Sequence, residues 1–189
     1  MEDNLDLYEY SRLMSQVRLT RWQELPKFPI YCDQLLQIVK DELSFMKLDN
    51  DNLITKSMVN NYVKWGMIPK PVKKKYERLH TVQMIVITIL KQILPISEIK
   101  NGIQLQSSLY GSEGAYDAFC EALEDAMKRV FMPIVEKKEV YETEKVHIEY
   151  DRLAISSITT ALANRMLTMK IIETKINANT PNKKGEAHE

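Results

Sequence analysis

Residues 79–94 carry apolar side chains at Val82, Ile85, Val86, Ile89, Leu90 and Ile93. That spacing lays a wide stripe along one side of a helix, the strongest such signal in the chain. Gln83, Thr88, Lys91 and Gln92 interrupt the run. It is too short for a bilayer span, which takes roughly 20 apolar residues, and reads as a core helix that Pro95 stops. Residues 30–45 repeat the helical period through Leu35, Ile38, Val39, Glu42 and Leu43, with Asp33 near the start, where the helix dipole favours an acid. In residues 55–66 the stripe narrows to Met58, Val59, Tyr62 and Val63, and residues 97–106 form a short helix with Ile99 and Ile103 inward. Further on, Tyr116, Phe119, Cys120, Leu123, Met127, Val130 and Phe131 mark another amphipathic helix. In residues 153–172, Ile155, Ile158, Leu162, Met169 and Ile172 recur at near-heptad spacing, interrupted by Arg165. The pattern predicts a mostly α protein.

Weaker stretches divide the chain. Residues 1–21 form an N-terminal arm, with Leu5, Tyr8, Leu13 and Val17 roughly on one side of a helix over 5–19. Residues 22–29 are an aromatic and proline-rich connector, whose Trp22, Leu25 and Phe28 should cover the edge of the next domain. Gly111 and Gly114 bracket the best internal boundary, so 22–110 reads as one domain and 111–176 as a C-terminal helical region. Residues 137–150 read equally as a short strand, from the alternation of Val140, Val146, Ile148 and Tyr150, or as a charged helix. The tail 177–189 lacks an apolar stripe and is expected to be disordered.

Charge then singles out one stretch. The chain balances at 26 basic and 26 acidic residues, yet residues 55–80 hold Lys56, Lys64, Lys70, Lys73, Lys74, Lys75 and Arg78 against Glu77 alone. A neutral protein with its cations gathered on one helix and loop carries a directed field. The local grammar is a Thr55 cap, a short helix, Gly66 as a left-handed stop, and Pro69 and Pro71 holding the chain extended before a lysine loop. Away from the apolar stripe the helix offers Lys56, Ser57, Asn60, Asn61 and Lys64, donors and acceptors suited to base edges and phosphates. The plainer alternative is a solvated helix and a lysine-rich turn.

These residues also resemble known families. Val59-Asn60-Asn61-Tyr62, then Gly66-Met67-Ile68-Pro69, then the basic run closing on Tyr76, resembles the recognition helix and wing of MerR-type regulators. Ser97-Glu98-Ile99-Lys100 is similar to the start of the next helix in that fold. More closely, Trp22, Leu25 and Pro26, then Thr55, Ser57 to Lys64, and Pro71, Val72 and Lys74 to Tyr76, resemble an uncharacterised bacterial family, domain of unknown function 1836, over about residues 22–106. Asn60 and Asn61 stand where MerR-type regulators usually have an Arg and an aromatic. The resemblance implies a MerR-like winged helix-turn-helix over 22–110, followed by a region for dimerisation or effector sensing. It implies binding of double-stranded DNA through Lys56, Ser57, Asn60, Asn61, Lys64, Lys73, Lys74, Lys75, Tyr76 and Arg78, as a homodimer, with an unidentified small-molecule effector in view. The rival reading is a protein-interaction module that docks its lysine loop on an acidic partner.

Composition adds exclusions. Cys32 and Cys120 lie far apart among apolar residues and read as free thiols of a reducing, cytoplasmic protein. The acidic N-terminus, Met1-Glu2-Asp3, is not a secretory signal. Asp49 to Asn52 imitates the start of a calcium loop, but the sixth-position Gly and the closing Glu are absent. His80, His147 and His188 fall in no metal-ligand spacing, and no Gly-rich phosphate loop occurs, so neither metal, cofactor nor catalysis is expected. His80, just after the basic loop, reads either as a phosphate contact or as a plain surface histidine at a helix start.

Overall fold

The computed structural model describes residues 6–46, 53–138 and 147–179. Among them are six helices and one two-stranded sheet: α1 (Leu7–Met14), β1 (Ile30–Tyr31), α2 (Cys32–Glu42), α3 (Lys56–Lys64), β2 (Lys75–Tyr76), α4 (Arg78–Leu90), α5 (Ile96–Val135) and α6 (Leu153–Asn179). The protein is mostly helical, and among the described residues no helix is long and apolar enough to cross a membrane. By contacts the chain forms two compact units, Val17–Asp125, and Met1–Gln16 with Ala126–Glu189.

The larger unit, Val17–Asp125, is built around α4. His80, Thr81, Val82, Met84, Ile85, Ile87, Thr88, Ile89 and Leu90 are all buried, a wider burial than one stripe. Leu35 and Val39 of α2, Leu43 just after it, Val59 and Tyr62 of α3, and Ile99 of α5 complete this core together with Tyr116, Phe119, Cys120 and Leu123. The helix expected from Ile30 begins at Cys32, because Ile30 and Tyr31 are extended and pair antiparallel with Tyr76 and Lys75. The 17–29 connector is braced by polar contacts. Arg21 grips Glu124 through both guanidinium nitrogens at 2.6 and 2.7 Å, the Trp22 N–H donates to Asp117, and Thr20 donates to Glu42 from its N–H and its hydroxyl. Leu25 is buried, but Phe28 remains 66% exposed, so only part of the connector covers the unit's edge.

The helix expected to end at Gln106 continues, since nothing from Ser107 to Tyr110 breaks it. Gly111 then puts a kink in α5, with φ +68 and ψ 168. In the smaller unit, Asp6 caps α1 by accepting from the Glu9 N–H at 2.8 Å. Ser11 and Met14 face inward and Tyr8 and Leu13 outward, a different side of the arm from the one the apolar spacing suggested. Tyr10 meets Phe131 edge-on at 5.8 Å. Lys170 is 6% exposed, with its ammonium over the Tyr10 ring and paired to Glu173. The α6 stripe divides: Ile155 and Leu162 are buried, whereas Met169 and Ile172 are exposed. Helix α6 runs three residues into the stretch read as a disordered tail. The alternation at Val140 and Val146, and the Asp49 to Asn52 loop, lie outside the described residues. Residues 147–149 form no strand, and Tyr150–Arg152 is a single 3₁₀ turn.

Candidate nucleic-acid interface

Helix α3 is fixed at both ends by local chemistry. The Thr55 hydroxyl accepts from the Met58 N–H at 3.3 Å, satisfying one of the orphan donors of the first turn. At the other end Gly66 takes φ +65, the Met67 N–H reaches back to the Tyr62 carbonyl at 2.9 Å, and the Gly66 N–H reaches Val63. These are the paired bonds of a Schellman stop, and Met67 and Tyr62, at the positions of its usual apolar contact, are both buried. The Lys100 ammonium donates to the Trp65 carbonyl. With Val59 and Tyr62 anchored inward, Lys56, Ser57, Asn60, Asn61 and Lys64 are all exposed.

The lysine loop is a tight hairpin. The Lys75 N–H donates to the Val72 carbonyl at 2.9 Å, and both central residues are left-handed, Lys73 at φ 49 and Lys74 at φ 62. Positive φ at both central positions is the geometry that matches strand twist in two-residue hairpins, and Asn-Gly is its usual sequence. Lys73, Lys74 and Val72 are exposed at the tip. Lys75 is half-exposed, its ammonium 5.3 Å from the centre of the Tyr31 ring.

Not every predicted residue joins this face. Tyr76 is 5% exposed and stacks edge-on against His80 at 5.4 Å, so it belongs to the core. Arg78 is half-buried, donates to the Leu25 carbonyl and lies over the Trp22 ring. Both hold the connector and hairpin in place, because the β1–β2 pairing draws residue 76 inward. His80 is 4% exposed rather than on the surface, and its Nδ1 accepts from the Glu77 N–H at 2.9 Å. Burial pushes its pKa down, against the opposing pull of Glu77.

Two residues escaped the sequence reading. Tyr31, 57% exposed, sits at the joint between β1 and α2, and Trp65, 52% exposed, caps α3 with its ring edge-on to Tyr62. Tyr31 had no legible signal, because its exposure stems from a two-residue strand. Cys32 is the first residue of α2: burial raises its pKa, while the Lys56 ammonium and a hydrogen bond with Tyr76 pull it back. Cys120 is buried and its thiol is pushed up to about 12 by burial. Among the described residues no cluster of His, Cys, Asp and Glu could hold a metal ion.

The larger unit presents a capped helix with one polar, lysine-bearing exposed side and a short basic hairpin, in a mostly helical protein. The family described as Domain of unknown function (DUF1836) matches residues 20–119, and the chain belongs to it. The match lies within the larger compact unit and spans nearly all of it. No curated protein and no solved structure matches the chain.

Proposed function

We propose that the protein is a DNA-binding transcriptional regulator whose larger unit works as a MerR-like winged helix-turn-helix. In this reading α2 and α3 are the helix pair, α3 enters the major groove, and the Val72 to Lys75 hairpin is the wing. The observation that carries it is the one-sided display on α3: Lys56, Ser57, Asn60, Asn61 and Lys64 are exposed while Val59 and Tyr62 pin the opposite side to the core. An Asn amide pairs with adenine N6 and N7 in the major groove, and lysines on a loop suit phosphates. The chain acts as a homodimer, in which the exposed Met169 and Ile172 of α6 meet a second copy.

Selection of bound sequences from a random duplex pool tests the reading, followed by fluorescence anisotropy on selected and scrambled duplexes over a salt series. The selected duplex is expected to bind about tenfold tighter or more, a base-dependent difference on top of a salt-dependent common term. Equal binding of both duplexes at every salt concentration refutes it, and docking of the lysine hairpin on an acidic protein partner takes its place.

A further inference from the structure

We infer that Tyr31 is a contact residue of the same interface, adding an aromatic ring to the cations of the hairpin and packing on the sugar–phosphate backbone of the bound duplex. The inference rests on the DNA reading and adds to it a residue outside both basic elements.

Three observations lead there. Tyr31 points outward: its strand neighbour Ile30 is 4% exposed, while Tyr31 is 57% exposed, so the ring adds little to the core. It is held from two sides, its N–H donating to the Gln34 side chain at 2.9 Å and its backbone paired with Lys75 across the sheet. A backbone fixed in this way sets where the side chain emerges before a ligand arrives. The Lys75 ammonium stands 5.3 Å over the ring, so a cation is already aligned with it.

The chemistry of that arrangement is specific. A phenol offers an apolar face to a deoxyribose and a hydroxyl donor to a phosphate oxygen, and Lys75 supplies positive charge at the ring. Phosphodiester backbone provides all three counterparts at once. Backbone contacts of this type fix register and carry no base information.

The experiment compares wild type, Tyr31→Phe and Tyr31→Ala in the full chain, on selected and scrambled duplexes over a salt series, with thermal melts in parallel. Phe keeps the ring and its contact with Lys75 and removes only the hydroxyl. It should weaken binding to both duplexes roughly three- to tenfold, the size of one lost hydrogen bond. It should leave the salt slope and the melting temperature unchanged. Ala should weaken both duplexes further, with the ratio between them preserved. A purely structural Tyr31 would instead lower the melting temperature of Tyr31→Ala and leave Tyr31→Phe at wild-type affinity, which overturns the inference while the DNA reading stands. If wild type binds no duplex, the reading fails and the inference falls with it.

Discussion

His80 holds its neutral form through geometry. Its Nδ1 accepts from the Glu77 N–H, so in the neutral ring the proton sits on Nε2, on the side of the Pro69 carbonyl. Charging the imidazole puts a proton on Nδ1, where it opposes the Glu77 N–H and breaks a bond at the start of α4. Tyr76 packs on the ring, and Glu77 and Arg78 are the charged neighbours along the chain. The folded-state pKa is lowered, so between it and the unfolded value of about 6.5 the unfolded chain binds more protons. The contribution of His80 to stability is therefore present above that value and is lost as the pH falls below it. His80→Gln keeps an acceptor at the third helical position and cannot titrate there. Thermal melts from pH 5 to 8 should show a smaller decline toward acid for the variant than for wild type. Parallel curves would mean that His80 ionises at no cost. At this scale the sequence was legible where the chemistry is local, as with the Thr55 cap and the Gly66 stop. It was illegible for Tyr76, Arg78 and His80, whose burial depends on a strand pairing some 45 residues away in the chain.

Helix and hairpin are expected to make separable contributions to binding. Each phosphate contact adds about 0.9 to the slope of log affinity against log salt. Lys73→Ala with Lys75→Ala should therefore weaken binding to all duplexes alike and flatten that slope by roughly two. Asn60→Ala or Asn61→Ala should leave the slope unchanged and blur base preference, since a good bidentate contact carries about 1–3 kcal/mol of discrimination. A lysine pair that alters preference, or an asparagine that alters the slope, would reverse these assignments. The long elements were readable because the 3.6-residue period repeats over several turns in α2, α4 and the part of α5 after Gly111. The strands were not, since two residues cannot display alternation. The arm was misjudged because its apolar spacing was weak enough to fit more than one face, and Ser11 and Met14 are the residues buried.

Whole-molecule organisation obeys packing rather than punctuation. Gly111 marked a boundary in the sequence, but Tyr116, Phe119, Cys120 and Leu123 are buried in the same unit as α2 to α4, which extends to Asp125. A glycine reports local backbone freedom; which residues share a core is a long-range fact. The α6 stripe divides along its length, with Ile155 and Leu162 buried and Met169 and Ile172 exposed nearer the C-terminal end. The homodimer reading now falls on the exposed residues. The full chain should sediment as a dimer at micromolar concentration, and Met169→Glu with Ile172→Glu should yield a monomer with an unchanged melting temperature. A monomeric wild type under those conditions removes the dimer from the proposal.

The two left-handed lysines set endurance against service. A side chain in that conformation costs roughly 1–2 kcal/mol, whereas Asn and Gly adopt it readily. Lys73→Asn with Lys74→Gly should thus raise the melting temperature by several degrees while weakening duplex binding and its salt dependence. A lineage selected for heat resistance alone would discard these lysines. One that must hold its ligand would keep them, so the identity of residues 73 and 74 across relatives becomes a record of which demand prevailed.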